Sequence, residues 1–334
     1  MYAAVGIWAN SHVSVAKSII IANISPSGAA AGSVAASPSW SNPDYYYYWT
    51  HDASVTLLEV SRWLNAISDA SETSIYKQKL TDYATFSHSI QTINSASGIG
   101  ATKFNIDSSA YTGGWCNPQC DGAAVCTLSL ISFARKLKSG GANVTSYYDN
   151  KYPTASVIKA DLKYVANYWN ANNNGCNIWE EVCGSHFYTR MLQHHSMIEG
   201  GQFATQMGDT SAASWYFMQA LYITGNMTSF WSSSSNIILL TIQYNGGVNK
   251  PANIDPQVFL AALHAALDDG FYTIEFDQML STFVATVAKF RPLYTINAAT
   301  SATIADTTVP IRVALSRYPE DTYNGYNSGQ QGNP

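Results

Sequence analysis

The chain has 334 residues, 46% hydrophobic and only 12% charged, with 22 tyrosines and 9 tryptophans. That is enough apolar chain to bury a large core in one or two domains. A formal net charge of −5 with no run of Lys and Arg argues against nucleic acid and anionic membrane as partners, and no apolar stretch approaches a membrane span. A low-charge surface rich in Ser, Thr, Asn, Tyr and Trp suits carbohydrate, because sugar faces stack on rings and hydroxyls bond amides. A merely sticky surface is the alternative.

In chain order, Ser11 is a candidate helix cap, and Val13, Ala16 and Ile20 recur after it at helical spacing. Ser25 to Pro43, rich in Gly, Ala, Ser and Pro, predicts a long loop ending in Asn42-Pro43-Asp44-Tyr45-Tyr46-Tyr47-Tyr48-Trp49-Thr50-His51-Asp52. A second helix carries Leu57, Val60, Leu64 and Ile67. After another loop and the segment Tyr111 to Gly122, a helix runs through Val125, Leu128 and Ile131, and a further one carries Ile158, Leu162, Val165 and Trp169. Then come the loop Cys176 to Ser185 and an amphipathic helix with Phe187, Met191, His194 and Ile198 on one face. An aromatic helix around Trp215 to Ile223 follows, then one around Val258 to Leu267, then one bearing Met279, Phe283, Val287 and Phe290. The chain ends in a polar loop from Ser316 to Tyr323 and an Asn/Gly/Gln tail. Helices alternating with long loops, without evenly spaced strands or a phosphate-binding glycine motif, predict an all-α fold forming a single domain over 1–334. The Trp-, Tyr-, Asp- and Glu-rich loops are expected at one end of a helical barrel.

The chemistry centres on Trp179-Glu180-Glu181. A carboxyl beside an indole ring is desolvated, which favours its neutral form and lets it hold a proton near neutral pH for a leaving oxygen. A glutamate here is thus a candidate general acid at a helix entrance. Adjacent side chains diverge, so one of Glu180 and Glu181 could serve chemistry while the other bonds a ligand hydroxyl or a neighbouring loop. The alternative is a pair of solvated charges in a helix's first turn, where the dipole favours them.

Five cysteines, Cys116, Cys120, Cys126, Cys176 and Cys183, leave at least one free or intermolecular. Their spacings match no zinc arrangement, which favours unpaired or locally paired thiols and no metal. The first residues lack a basic region and a long apolar run, so no signal peptide is visible, although glycosylation sequons occur at Asn23, Asn143 and Asn226.

Four segments in order, NPDYYYYWTHD, FNIDSSAYTGGWCNPQCDG, IWEEVCGSHFYT and RYPEDTYNG, resemble the fungal glucoamylases, the inverting glucan 1,4-alpha-glucosidases of glycoside hydrolase family 15. The resemblance runs from about Trp8 to the end of the chain. It implies an (α/α)6 barrel with the active site in a funnel where the loops gather. It implies Glu180 as proton donor, with Glu181, Arg317, Tyr45 and Asp52 binding the sugar nearest the cleavage point. Trp49, Trp115 and Trp179 would wall the pocket, Tyr111, Gln119 and Asp121 would support it, and Tyr318, Glu320, Asp321 and Tyr323 would shape the last loop. Without the resemblance, most of these aromatics read as ordinary core residues and Arg317 to Asp321 as a solvated turn. The implied substrates are starch, glycogen and malto-oligosaccharides, cleaved from non-reducing ends to glucose by a secreted monomer that needs no cofactor. Inversion also calls for a second carboxylate as base, about 6.5–9.5 Å from the acid.

The chain departs from the family's pattern in several places. The family's general base lies in a later segment than Pro334, which implies a barrel open for lack of its last helices, with apolar helix faces exposed. His51 stands where the WTRD motif has a substrate-binding arginine, removing a rigid fork of donors. Asn177 stands at an aspartate three residues before the acid, and Cys126 and His195 stand where relatives usually carry Arg. Arg to Cys and Arg to His are each one C-to-T transition, as expected of a gene degraded by directed C-to-T mutation. The alternative to a working hydrolase is therefore an inactive relative that at most binds carbohydrate. A third reading, another (α/α)-barrel sugar hydrolase, is disfavoured by the four motifs.

Overall fold

The structure is a computed structural model and describes residues 2–323 apart from 42, 96, 172–174, 266, 268, 300, 305–306 and 311–312. Asn42, Asn324 and Gly325 of the motifs above thus lie outside the described residues. The described helices are α1 (Tyr2–Ala22), α2 (Thr50–Ala66), α3 (Ala70–Gln91), α4 (Gly122–Ser139), α5 (Val157–Tyr168), α6 (Phe187–Gln206), α7 (Thr210–Met227), α8 (Gln257–Ala265) and α9 (Asp277–Phe290). α2, α4, α6 and α8 stand side by side in that order, and each is followed in the chain by an outer helix, α3, α5, α7 or α9, that packs against it. Inner and outer helices alternate as the all-α reading predicts, in the manner of an (α/α)6 barrel.

Burial separates the two layers. α6 buries side chains all the way round, including Tyr188, Arg190, Leu192, His194 and Met197, so it is an enclosed inner helix and not the one-faced amphipathic helix expected. The outer α9 buries a stripe of Met279, Thr282, Thr286 and Phe290 and leaves Phe283 and Val284 exposed, Val284 at 68%. Its inward face is thus turned from the expected Met279, Phe283, Val287 and Phe290, because the threonine hydroxyls bond backbone carbonyls one turn earlier and bury readily. Leu221 and Tyr222 of α7 and Leu263 of α8 are exposed as well.

Two helices differ from expectation at their ends. Ser11 lies inside α1, well past its first turn, and Val13 is exposed. α1 engages the rest of the molecule near its far end, where Lys17 pairs with Glu72 at 3.7 Å and Ile20 and Ile21 pack on the core. α3 occupies a stretch where the sequence predicts a loop. Its buried positions, Tyr76, Leu80, Tyr83, Ser87 and Ile90, keep helical spacing but carry hydroxyls where aliphatic residues signal a helix. Its start is capped by the Asp69 side chain, which accepts from the Glu72 N–H at 2.8 Å.

The strands are short, and seven serve the loops: β1 (Tyr48–Trp49), β2 (Lys103–Phe104), β3 (Gly175–Cys176), β4 (Cys183–His186), β5 (Trp231–Ser232), β6 (Ile237–Ile238) and β7 (Thr241–Ile242), while β8 (Ser301–Ile304) and β9 (Thr307–Pro310) pair as a separate antiparallel hairpin. β1 pairs with β2, β3 with β4, β4 with β7, and β5 with β6, all antiparallel. β1 leads into α2, Asp121 precedes α4, and β4 leads into α6, so the amino ends of the inner helices gather at one end of the molecule. Their dipoles place partial positive charge there, which suits a pocket built from carboxylates. Tyr48, Leu57, Tyr83, Phe133, Ile158, Tyr188, Phe203 and Tyr216 belong to one continuous core between the two layers.

Candidate active site

Glu180 sits in the six-residue turn between β3 and β4, with a φ of 61°, in the left-handed region that a non-glycine residue seldom occupies. It is not in a helix's first turn, because β4 separates it from α6. Asn177, wholly buried, shapes this turn. Its backbone oxygen accepts from the Glu180 N–H at 2.9 Å, and its Oδ1 accepts from the N–H groups of Glu181 and Val182 at 2.9 and 3.1 Å. Behind the turn, Gly247 has a φ of 103°, and a Cβ there would stand 2.1 Å from the Glu181 carbonyl oxygen, so this position holds glycine of necessity.

The indole at Glu180 is that of Trp115, 65 residues away in sequence, whose Nε1–H donates to Glu180 Oε2 at 2.5 Å. The adjacent Trp179 turns away and gives its N–H to Asp255. Burial raises the Glu180 carboxyl from 4.5 to about 7, against the lowering effect of the Trp115 bond and with a further push from the Asp52 charge. Strained backbone and a carboxyl held near neutrality coincide at one residue, as at many catalytic positions.

Five stretches of chain converge here on a cavity of about 400 Å³ lined by Ala36, Tyr45, Trp49, Asp52, Trp115, Ile178, Trp179, Glu180, Glu181, Arg317 and Tyr323. Its mixture of aromatic walls and a few charged groups is typical of a small-ligand pocket. Arg317 braces the far side. Its Nη1 meets Glu181 Oε1 at 2.8 Å, and its Nε and Nη2 donate to the two oxygens of Asp321 at 2.8 and 2.7 Å. Tyr318 donates to Glu181 Oε2 at 2.8 Å, and the hydroxyls of Tyr45 and Tyr323 bond each other. Glu320 faces elsewhere and accepts from the Ala252 N–H at 3.1 Å.

The remaining candidates stand behind the wall. Gln119 is buried and reaches the Asn177 carbonyl at 3.4 Å. Asp121 is wholly buried, with both carboxylate oxygens lacking hydrogen-bond donors, and His51 Nδ1 stands 3.4 Å from it. Burial pushes the His51 imidazole down and is the largest single influence, but the charge and hydrogen bond of Asp121, with the charges of Asp52 and Glu180, together raise the group to about 9. His51 therefore faces a buried countercharge and is not among the cavity-lining residues. Tyr111 packs edge-on against Tyr47 and Trp115.

Three functional-looking residues went unread in the sequence. Lys103, buried in β2, holds its ammonium 3.7 to 4.6 Å from the ring centroids of Tyr47, Trp49, Tyr111 and Trp115. It forms the floor of a cage whose walls include two pocket tryptophans. Asp255, also buried, accepts Trp179 Nε1–H through both oxygens at 3.1 and 3.0 Å and the Lys250 ammonium at 3.0 Å, and Lys250 lies 3.8 Å from Glu181. A lone lysine or aspartate in a short apolar stretch carries no spacing signal that would expose such a role.

The cysteines depart from the expected unpaired or local arrangement: Cys116 and Cys176, 60 residues apart, form a disulfide that ties the Trp115 loop to the Glu180 turn. Cys120, Cys126 and Cys183 are free thiols.

The comparisons with known proteins agree with this architecture. The profile of the family described as Glycosyl hydrolases family 15 matches residues 10–334. Glucoamylase 1 of Rhizopus oryzae is 38% identical over 98% of this chain and 52% of its own length, and the glucoamylase of Blastobotrys adeninivorans is 34% identical over 97% and 52%. The solved glycoside hydrolase family 15 glucoamylase of Hypocrea jecorina superposes with a TM-score of 0.82 at 28% identity, covering 96% of this chain and 52% of that one. That of Saccharomycopsis fibuligera gives 0.77 at 26% identity over 94% and 67%. The chain spans about half the length of the curated relatives it matches. With the profile covering nearly all of it, the chain belongs to glycosyl hydrolases family 15.

Proposed function

We propose that this chain carries a glucoamylase-type site that releases glucose from the non-reducing ends of starch, glycogen and malto-oligosaccharides, with inversion and with Glu180 as proton donor. The observation that carries the reading is the Glu180 carboxyl, raised to about 7 and bonded to Trp115 at the wall of an aromatic cavity. A group poised there is protonated often enough to donate and, once ionised, is basic enough to recover its proton. Arg317 and Asp52 are suited to hold the hydroxyls of the terminal glucose, and Trp49, Trp115 and Trp179 to stack on or enclose its faces. Asn177 acts through the turn, by positioning Glu180. Secretion is part of the proposal: a disulfide suits an oxidising compartment, and no helix among the described residues is long and apolar enough to cross a membrane.

A second reading, sugar binding without turnover, draws on the carboxylates that line the described cavity. Glu181 is committed to Arg317 and Tyr318 and so is not a ready base for water, which leaves Asp52, its carboxyl held above its usual range by burial, as the other carboxylate lining the cavity with Glu180. The purified chain is to be given maltohexaose while the anomer released is followed by NMR and binding by calorimetry. Release of β-glucose, lost in Glu180→Gln, supports the hydrolase. Binding without release supports the second reading, and the absence of both overturns the two together.

A further inference from the structure

Three sulfur atoms meet beside the acid turn. Cys116 and Cys176 are bonded, and the free, half-buried thiol of Cys183 joins them in a group whose members all lie within 4.8 Å of one another. A thiol so close to a disulfide has an intramolecular partner for exchange, which proceeds when a thiolate attacks one of the two bonded sulfurs. We propose that Cys116, Cys176 and Cys183 form a thiol–disulfide exchange site, in which the bridge moves from Cys116–Cys176 to Cys176–Cys183 and unties the Trp115 loop from the Glu180 turn.

The step balances without an added oxidant. Cys183 loses its proton to solvent, its sulfur bonds Cys176 Sγ, the Cys116–Cys176 bond breaks, and Cys116 leaves as a thiolate that takes a proton from water. One disulfide and one thiol stand on each side.

The hairpin supports the product. Cys176 and Cys183 are direct cross-strand partners of β3 and β4. The next pair is hydrogen-bonded, Asn177 N–H donating to the Val182 carbonyl at 2.9 Å, so Cys176 and Cys183 occupy a non-hydrogen-bonded pair. Their own N–H groups point outward, to the carbonyls of Pro118 at 2.8 Å and Gly246 at 2.9 Å. Cα atoms in such a pair lie about 4.5 Å apart, within the roughly 4.4–6.8 Å that a disulfide spans. The new bridge therefore forms with little movement of the strands.

The reactant and product differ at the acid. Cys116 is bonded through the backbone to Trp115, the donor to Glu180, and the present disulfide is the covalent tie between that loop and the turn. After exchange the turn is stapled to its own hairpin, while the loop keeps only weaker anchors such as the Thr102 N–H bond to Asn117 Oδ1 at 2.8 Å. The exchange stands on the sulfur geometry alone, and its effect on turnover rests on the reading of Glu180 as acid.

The test is to hold the folded chain near pH 8 without added thiol or oxidant, quench with acid, alkylate, and map the cysteines by mass spectrometry. The expected result is that alkylated Cys116 and a Cys176–Cys183 bridge appear together, at a first-order rate independent of protein concentration, and that Cys183→Ser abolishes both. Tryptophan fluorescence changes at the same rate, whether or not the chain hydrolyses anything. In Cys116→Ser, checked for fold by circular dichroism, air oxidation is expected to close Cys176–Cys183. The proposal is overturned if Cys116 stays unlabelled while Cys183 is labelled, or if Cys116 becomes labelled equally in Cys183→Ser. It is also overturned if Cys116→Ser leaves both other thiols open, or if the purified chain retains one zinc that protects all three cysteines, since three thiolates on a metal leave no disulfide to exchange.

Discussion

Replacing Glu180 with Gln is expected to make the fold more stable while removing the proposed proton donor. Between pH 4.5 and about 7 the native state keeps a proton that the unfolded chain has released. The native state then binds more protons, so this group's contribution to stability falls as pH rises through that window. At 1.36 kcal/mol for each pH unit, the displacement amounts to about 3 kcal/mol above pH 7, reduced to about 2–3 kcal/mol because the side chain is only partly buried. Gln carries no charge to desolvate and keeps a carbonyl oxygen to accept from Trp115. Urea denaturation followed by circular dichroism at pH 4, 6 and 8, at constant salt, is expected to show no difference at pH 4 and an advantage of about 2–3 kcal/mol for Glu180→Gln at pH 8. A difference that does not vary with pH, or a wild-type chain that is the more stable at pH 8, refutes the reasoning.

His51 has a folded value of about 9 against 6.5 unfolded, so its contribution is complete below pH 6.5 and lost as pH rises through about 9. His51→Asn removes that loss and leaves Asp121 buried without a countercharge. The variant is expected to be weaker by about 2–4 kcal/mol at pH 6 and nearly equal to wild type at pH 10, read from urea midpoints. Arg317→Lys keeps the charge but cannot keep bonds to both Asp321 oxygens and Glu181, and a fall of tenfold or more in maltohexaose affinity, roughly 1.4 kcal/mol or more, is expected by calorimetry. Lys103→Met keeps the volume and removes the cation from among four rings, which is expected to cost about 1–2 kcal/mol and to alter tryptophan fluorescence. Unchanged stability and emission in that variant would count against the cage.

Most of the helix alternation was readable because the inward stripes of α2, α4 and α5 carry aliphatic residues at regular spacing. α3 was missed where tyrosine and serine occupy that stripe, although Asp69 and Glu72 announce its start. The residues lining the cavity lie largely within the motif loops, yet their contacts are not functions of spacing. Trp179 is next to Glu180 in the chain but bonds Asp255, and Trp115 comes from a distant loop to take the place at the Glu180 carboxyl. Lys103, Lys250 and Asp255 were invisible because each draws its meaning from groups brought in by other segments. The Cys116–Cys176 bridge was invisible for the same reason, since pairing depends on which loops converge and not on the interval between cysteines.

The hydroxyl contact between Tyr45 and Tyr323 spans 278 positions of the chain. A ribosome must therefore deliver almost the whole described sequence before the cavity can close, whereas α2 can meet α3, and α4 can meet α5, soon after each pair emerges. Closing so long a loop yields few contacts in return for its entropy, so helical hairpins are expected to form early and the pocket last. Until then Trp49, Trp115 and Trp179 have no opposite wall, and the aromatic surface that later lines the cavity is open to any other apolar surface it meets.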